Sequence, residues 1–306
     1  MGRFLLNRIV SMIITLWLVI TLTFLLMHAI PGGPFTREKA LPPAVIKALE
    51  AKYKLDQPLW RQYTDYIGGV MRLELGPSFQ KVGVTVNDMI REGFPVSAKV
   101  GGLAILVILV LGIPAGIISA LKNNKWEDQL VRFLATLGVT IPSFVLATIL
   151  IYVFSAKLGW FPSFGIKSWK HYVLPVIALS GYSLAFVARL TRSSMLEVLQ
   201  QDYIRTARAK GLSEFVVIGK HALKNALIPV VTYVGPLIAG ILTGSFVVER
   251  IFAIPGMGKH FVESVGNRDY TVLMGMTVFY ALFLVIMVLI VDILYGFIDP
   301  RIKVGE

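Results

Sequence analysis

The chain alternates long apolar runs with short polar segments, and the lengths of these runs predict a membrane protein. A helix needs about 20 mostly apolar residues to cross the roughly 30 Å hydrocarbon core of a bilayer. Six runs reach that length, at about residues 9–30, 98–121, 130–156, 172–190, 226–248 and 271–298. The pattern therefore predicts an all-α membrane protein with six transmembrane helices, which places both termini on the same side.

Composition supports this interpretation. Of the 306 residues, 56% are hydrophobic and 16% are charged, which is far more apolar than a soluble domain. The first run is longer than the roughly 7–15 residues of a signal-peptide core, so we expect it to remain as a membrane anchor. The chain has no cysteine, which excludes disulfides, thiolate metal sites and a cysteine nucleophile.

The positive charge predicts which side of the membrane holds the termini. Lysine and arginine of membrane proteins gather in cytoplasmic loops, so a net charge of +12 does not require nucleic acid as a partner. With both termini inside, the inner segments hold fourteen Lys and Arg residues and the two short outer loops hold six. We therefore expect a multi-pass protein with cytoplasmic N- and C-termini.

The segment after the first run is too long for a simple connector and is expected to form an extracytoplasmic helical loop, residues 31–93. Pro42 and Pro43 are suited to begin a helix. A second amphipathic stretch starts near Leu59 and stops at Gly76 and Pro77. The segment is interpreted either as a lid or as a packing cap.

Polar or helix-breaking residues inside the apolar runs are candidates for lining a pathway through the membrane. Proline removes a backbone donor, and in lipid the freed groups need a neighbouring helix or a wet cavity. An intramembrane carboxylate is likewise a functional candidate. The candidate pathway-lining residues are Pro142, Ser143, Pro175, Thr243, Ser245 and Asp292. The competing interpretations are plain helix bending at the prolines and a hydrogen bond from Asp292 to a neighbouring helix.

Two glycine pairs have the spacing that lets helix backbones approach closely. They are Gly112-x-x-x-Gly116 and Gly240-x-x-x-Gly244. Each pair predicts a close helix crossing, although glycine is frequent in membrane helices in general.

The polar segment 191–225 is predicted to form a protrusion made of a helix, a glycine elbow and a second helix. Apolar or small residues recur every four positions up to the elbow at Gly211, and Ser213 can cap the second helix. Ala207 is small enough to let a docked protein approach closely. Arg205 and Arg208 can pair with carboxylates of that protein.

This segment resembles the EAA motif of type I ABC importer permeases, in which the sequence E-A-A-x-x-x-G docks into the nucleotide-binding subunit. The matching positions here are Arg205, Thr206, Ala207 and Gly211. Arg205 replaces the acidic residue and Thr206 replaces the first alanine. This variant is similar to the peptide and nickel branch of the family.

Further strings extend the resemblance over nearly the whole chain, and they are most similar to the B-type permease subunit of oligopeptide importers. The strings are Pro31–Phe35, Ala51–Pro58, Leu75–Ser78, Gly244–Glu249, Ile254–Gly258, Asn267–Tyr270 and Asp299–Pro300. The stretches Pro34–Thr36 and Leu41–Pro43 look more like the oligopeptide branch than like dipeptide, nickel or glutathione importers.

The resemblance implies an architecture and a role. Residues 1–30 would be the N-terminal transmembrane helix, residues 31–93 the outer loop, and residues 94–306 the type I core with a cytoplasmic coupling loop at 191–225. The expected ATPase-coupling residues are Tyr203, Arg205, Thr206, Ala207, Arg208 and Gly211.

The partners implied are a homologous second permease subunit, two cytosolic ABC ATPases and an extracytoplasmic peptide-binding protein. The expected location is a bacterial inner membrane. No cofactor is expected on this chain, because ATP and Mg would be bound by the ATPase subunits.

The chain lacks the motifs of an enzyme. No G-x-x-x-x-G-K-[ST] string occurs, so this chain is not expected to hydrolyse ATP itself. An ion-gradient-driven secondary transporter is the alternative from another class, and it would favour inverted repeats and a network of intramembrane charges. Asp292 is the single acidic residue deep in the predicted spans.

Overall fold

The computed structural model describes residues 2–31, 33–35 and 42–298, and over these ranges the chain is helical apart from short connections. The described helices, in chain order, are α1 (Gly2–Ala29), α2 (Pro43–Lys52), α3 (Leu59–Met71), α4 (Val86–Leu121), α5 (Trp126–Thr140), α6 (Ser143–Leu150), α7 (Lys170–Leu199), α8 (Asp202–Ala209), α9 (Glu214–Val216), α10 (Leu223–Ala226), α11 (Ile228–Leu242), α12 (Phe246–Ile251), α13 (Met257–Gly266) and α14 (Tyr270–Ile298). Two π-helical segments, Ile151–Lys157 and Val217–Ala222, continue α6 and α9.

The lengths and hydropathy of these helices confirm an all-α membrane protein. Five described segments are long and apolar enough to cross a bilayer, namely Leu6–Ala29, Val86–Leu121, Lys170–Leu199, Ile228–Ile251 and Tyr270–Ile293. The described part of the chain has a sixth span if α5 and α6 together cross once. The strings at Thr36, Leu41 and Asp299–Pro300 lie outside the described residues.

The predicted span 130–156 is not one straight helix. It consists of α5 and the helix that begins at Ser143, which meet at an angle of 103°. Pro142 explains the break, because its ring disfavours helical geometry at the preceding residue. Ile141 accordingly has an extended backbone.

Helix α4 begins well before the predicted start at residue 98, and it runs through the predicted boundary between residues 93 and 94. Its start is a capping box in which the Thr85 hydroxyl accepts from the Asp88 amide and the Asp88 side chain accepts from the Thr85 amide. The polar first turns hide this start from a search for apolar runs. At about 1.5 Å per residue, α4 is about 54 Å long and extends beyond the hydrocarbon core.

The two longest central helices, α4 and α7, pack together along the middle of the molecule. A Cβ atom added to Gly116 would lie 2.5 Å from the Ala188 carbonyl oxygen, and one on Gly112 would lie 3.1 Å from a Val187 methyl. The first glycine pair therefore allows this close approach. The second pair has another role, because Gly244 ends the turn after α11 with φ +100°.

The two ends of the bundle carry different structures. At one end, α3 and the start of α4 pack with α13 and α14 around buried Leu75, Val86, Met257 and Val272. At the other end, Ala120 at the close of α4 packs with the segment that follows α7. Because α4 is longer than a bilayer is thick, these two ends lie on opposite faces of the membrane.

Helices α1 and α14 are joined by an ion pair near the second of these ends. Two guanidinium nitrogens of Arg8 lie 2.9 and 2.8 Å from the two carboxylate oxygens of Asp292. This geometry matches the sequence interpretation in which Asp292 bonds to a neighbouring helix. Bidentate pairs of this kind fix the relative orientation of the two groups.

Candidate functional site

The segment after α7 forms the predicted arrangement of a helix, a glycine turn and a second helix. Gln200 and Gln201 separate α7 from α8, so residues 195–207 do not form one continuous helix. Gly211 has φ +75°, a conformation that glycine adopts without the strain other residues incur. Ser213 occupies the N-cap position of α9 without a side-chain cap hydrogen bond. We call residues 202–223 the protrusion.

One face of the protrusion is buried against the rest of the molecule. Ile204 and Ala207 of α8 pack with Met195 of α7 and with Val217 and Ala222. Ala207 is therefore not exposed to a docked protein, which corrects the expectation from the sequence. The small side chain of Ala207 instead lets α8 lie close to the helical segment that contains Val217 and Ala222. Burial of the face formed by Ile204 and Ala207 stabilises the protrusion against α7.

The opposite face is exposed and carries charged and aromatic groups. Phe215 is 88% exposed, which is unusual for a large aromatic residue. Arg205 is also exposed and lies 3.7 Å from Asp202. Tyr203 is 42% exposed, and its hydroxyl accepts a hydrogen bond from the Asn225 side-chain amide at 2.7 Å. The exposed part of the protrusion therefore carries two aromatic side chains, Phe215 and Tyr203, and the cationic Arg205.

An internal ion pair closes the glycine turn. The Arg208 guanidinium lies 2.7 Å from one carboxylate oxygen of Glu214 and 3.2 Å from the other. Hydrogen bonding from Arg208 lowers the pKa of the Glu214 carboxyl. Arg208 thus supports the shape of the turn, whereas the sequence expectation assigned it to a docked protein. Thr206 donates its hydroxyl to the Asp202 carbonyl within α8.

A cavity of about 900 Å³ opens beside the break between α5 and α6. Four of the predicted pathway-lining residues, Pro142, Ser143, Thr243 and Ser245, lie in its wall. The wall is mostly apolar, and further members that sequence reasoning missed are Tyr182, Ser183, Met257, Phe261, Met276 and Tyr280. The only sequence signal for this group is Gly181-Tyr182-Ser183, a polar interruption within an apolar run.

Two of the hydroxyl groups in this wall bond to the backbone of the protein. Thr243 donates to the Ala239 carbonyl at 2.7 Å, and the Ser245 hydroxyl accepts from the Val248 amide at 3.4 Å. The cavity therefore offers a mostly apolar surface whose polar groups are hydroxyls, among them those of Ser143, Tyr182 and Tyr280. Such a surface discriminates weakly between ligands of different side-chain chemistry.

Two predicted pathway residues lie elsewhere. Pro175 is buried inside α7 and does not line the cavity. Asp292 pairs with Arg8 at the end of α14 and also lies outside the cavity wall. Within the described ranges, no three His, Asp or Glu side chains converge as ligands for a metal ion.

Comparison with known proteins identifies the family. The profile "Binding-protein-dependent transport system inner membrane component" matches residues 112–304, and the corresponding N-terminal profile matches residues 1–101. The chain belongs to this family. This permease is 52% identical over 306 residues to the dipeptide transport system permease protein DppB of Bacillus subtilis, covering 100% of the chain and 99% of that protein.

It is 45% identical over 305 residues to the oligopeptide transport system permease protein OppB of Salmonella typhimurium, covering 99% of this chain and 100% of that protein. The resemblance to the peptide branch of ABC importer permeases is therefore confirmed.

Solved structures agree on the fold of this permease. Two inward-facing structures of the MetNI methionine ABC transporter match it with TM-scores of 0.53 and 0.56, at 19% and 16% sequence identity. Both matches cover 69% of this chain, and they cover 94% and 96% of the matched chains. At such low identity the likeness concerns the fold alone.

Proposed function

We propose that this permease forms, with a homologous second permease subunit, the pathway of an ATP-driven importer for peptides. The names of its full-length relatives support this substrate class, since both are peptide permeases at 45% identity or more. The 900 Å³ apolar cavity suits a cargo of mixed side chains. One relative is named for dipeptides and the other for oligopeptides, so both peptide lengths are compatible with this proposal.

The protrusion is the part of this permease that receives work from ATP hydrolysis. It sits directly at the end of α7, and its cluster includes Ala120 of α4. A displacement of the protrusion is therefore transmitted to α7 and to α4, the two longest helices of the core. The ATP and Mg are held by two cytosolic ATPase subunits, while this chain acts as a transport subunit and supplies Arg205, Tyr203 and Phe215 as the docking face.

The orientation follows from charge. With the protrusion in the cytoplasm of a bacterium, the N- and C-termini are also cytoplasmic and the basic segments face inward. Helices α2, α3 and α13 then face outward. They form the surface on which an extracytoplasmic peptide-binding protein would deliver its cargo.

The single observation that carries the docking role is the 88% exposure of Phe215 on a protrusion whose other face is buried. Exposed aromatic residues that enter a pocket of a partner are typical anchors of protein interfaces. A Phe215→Ala variant should therefore weaken assembly with the ATPase subunits and reduce peptide-stimulated ATP hydrolysis. An anchor is worth roughly 2 kcal/mol or more, which is about 30-fold in affinity.

Phe164 provides the matched control, because it is 61% exposed in the loop between α6 and α7 at the other end of the bundle. The complete transporter is purified with each variant, and subunit ratio and peptide-stimulated ATPase rate are measured. If Phe215→Ala assembles and hydrolyses ATP as the Phe164→Ala control does, the docking role of this face is wrong.

A further inference from the structure

A second cavity, of about 310 Å³, lies along the contact between α5 and α7, towards the end of the bundle that carries the protrusion. Three arginine side chains line it, Arg132 from α5 and Arg189 and Arg192 from α7. Arg132 and Arg189 are exposed. Three like charges in one cavity repel each other unless an anion is present. We call it the arginine cavity.

One of the three charges is already balanced inside the protein. Arg192 forms two bonds to the fully buried Asp128, at 2.7 and 2.8 Å, and a third to Asn123 at 2.9 Å. The Ser119 hydroxyl and the Asn124 amide also donate to Asp128. This network fixes the position of the cavity wall and uses the full charge of Asp128 on Arg192.

The other two charges are not balanced. Arg132 and Arg189 have no carboxylate partner among the residues that the structure describes. Guanidinium groups bind carboxylates in bidentate geometry, and two of them beside one cavity favour a carboxylate between them. The arginine cavity therefore has the charge and the space for one carboxylate that this chain does not supply.

The arginine cavity continues the apolar cavity along the same sides of α5 and α7. Arg132 lies seven residues before Val139 on α5, and Arg189 lies seven residues after Tyr182 on α7. Val139 and Tyr182 line the apolar cavity. Seven residues are close to two helical turns, so each pair shares one side of its helix at a separation of about 10 Å. Because α5 and α7 pack antiparallel, both arginines lie beyond the same end of the apolar cavity.

This side of α5 is turned away from lipid. The large apolar side chains that α5 exposes in its middle turns are Leu130, Phe133, Leu134 and Leu137. With 3.6 residues per turn, they lie on the opposite side of the helix from Arg132 and Val139. Charged residues of membrane helices almost always face the interior of a bundle or a water-filled cavity. The two arginines therefore face the same pathway as the apolar cavity.

The separation of the two cavities suits a peptide. Each residue of an extended chain spans at most about 3.3–3.6 Å, so about three residues cover the 10 Å between Tyr182 and Arg189. A linear peptide that places its C-terminal carboxylate between the arginines still has its preceding side chains on the apolar wall. The N-terminal ammonium of the peptide would be repelled from the same position.

We propose that Arg132 and Arg189 bind the C-terminal carboxylate of the transported peptide at the inner end of the pathway, so that the peptide leaves carboxylate first. The inference rests on the proposed function and adds a residue-level selectivity to it. The permease itself, and not only the protein that delivers the cargo, then distinguishes a peptide with a free C-terminus from one whose C-terminus is blocked.

The test compares uptake of trialanine and of trialanine amide by proteoliposomes that contain the complete transporter. The amide lacks the negative charge but keeps the same side chains. The cavity variant is Arg132→Gln with Arg189→Gln. The matched control is Lys122→Gln with Lys125→Gln, which removes the same charge from the same end of the bundle at two exposed positions outside the cavity.

The measured quantity is the ratio of the two initial uptake rates. Any preference of the delivering protein is the same in every sample, so a change in the ratio belongs to the permease. A hydrogen bond to a charged group is worth about tenfold, so the cavity variant should lose roughly tenfold of the preference for the free acid. Uptake of the amide should change little. Arg132→Lys with Arg189→Lys keeps the charge and should keep most of the preference.

Three results would overturn the proposal. One is the same uptake ratio in the cavity variant and in the control. Another is a lysine variant that is as unselective as the glutamine variant, because charge would then not be the cause. The last is loss of the second permease subunit from both single variants, Arg132→Gln and Arg189→Gln, which would assign the two arginines to a protein interface. A transporter that takes up peptides with an unchanged ratio contradicts only this inference, whereas one that takes up neither peptide contradicts the proposed function.

Discussion

Ser97 on α4 donates a hydrogen bond to the buried carboxylate of Glu249 on α12, with the two oxygens 2.6 Å apart. The other carboxylate oxygen accepts from the Gly258 amide at 2.8 Å, and the Ser97 hydroxyl accepts from the Met257 amide at 2.9 Å. The network ties α4, α12 and α13 together. Met257 lies in the cavity wall, and so does Gly244, where an added Cβ atom would lie 2.5 Å from the Glu249 carboxylate. The network therefore also fixes the shape of that wall.

Replacing Glu249 should loosen this wall. A Glu249→Ala variant leaves the Ser97 hydroxyl and the Gly258 amide without their acceptor, at a cost of about 1–3 kcal/mol for each buried group. We expect a lower thermal unfolding temperature of the purified transporter and faster proteolysis between α12 and α13. Glu249→Gln keeps one acceptor oxygen and should have an intermediate effect. Glu197→Ala, on the exposed surface of α7, is the control, and equal melting of the two alanine variants would contradict this role of Glu249.

The contact between α4 and α7 at Gly116 should not accept even one added methyl group. In Gly116→Ala the new Cβ atom meets the Ala188 carbonyl and the Thr191 Cβ, both at 2.5 Å, so the helices must separate. Overpacking of this kind costs typically about 1–3 kcal/mol. The measurement is the thermal unfolding temperature of the purified permease.

Gly102 lies on the same helix and provides the comparison. A Cβ atom there meets nothing within 4 Å, so Gly102→Ala should be neutral or stabilising, because alanine favours helix by about 1 kcal/mol over glycine. Equal destabilisation by the two substitutions would contradict the packing explanation, because a methyl group at Gly102 meets no neighbour.

The proposed orientation can be tested directly, because the chain has no cysteine of its own. Val82 is 82% exposed in the segment before α4, and Lys210 is exposed in the protrusion. In intact cells, a membrane-impermeant maleimide should label Val82→Cys but not Lys210→Cys. After permeabilisation both should be labelled. Labelling of Lys210→Cys in intact cells would place the protrusion outside and contradict the coupling proposal.

Acidification should destabilise the packing of α13 through His260. Burial is the main cause that lowers the pKa of His260, and the neighbouring Lys81 lowers it further. Lys259 also lowers this pKa, whereas Glu263 and Glu92 raise it. In the unfolded chain the imidazole binds a proton more readily, so the unfolded state gains protons first as the pH falls below about 6.5. Stability is therefore greatest above that pH and decreases as the pH falls towards the folded-state pKa.

The measurement is the unfolding temperature between pH 7.5 and 5.5 for the unmodified permease and for His260→Asn. The variant should lose part of the pH dependence. His171→Asn, in the first turn of α7, serves as the control because it removes a histidine outside α13. If both variants follow the same curve as the unmodified protein, His260 does not contribute to this dependence.

The features predictable from sequence were those set by local patterns. The lengths of apolar runs are local, and so is the preference of Gly211 for positive φ, which is why the all-α membrane fold and the glycine turn could be predicted. The position where α4 starts depends on a capping box among polar residues, which hydropathy does not reveal. The sequence indicates Pro142 as a helix-breaking residue, but it does not give the 103° angle between α5 and α6. That angle depends on the packing of α6 against α7 and α12.

The features that could not be predicted depend on contacts distant in sequence. Ser97 and Glu249 are 152 residues apart, and Asp128 and Arg192 are 64 residues apart. No periodicity relates such positions. The burial of Ala207 was also hidden, because the same small residue fits either an external partner or an internal crossing. Whether Ala207 contacts a partner or another helix of this chain depends on how the other helices pack around α8.

Helix α4 has a mechanical consequence for the whole molecule. It is one helix, with Pro95 and Pro114 inside it, whose first turns pack with the outer helices and whose last turn shares a hydrophobic cluster with the protrusion. In the proposed importer, a protein that binds the outer helices would therefore contact the same helix that ends beside the proposed docking segment. In that arrangement the proposed delivery protein outside and the proposed ATPase inside would be linked by α4 alone, with no movement of the cargo into the membrane.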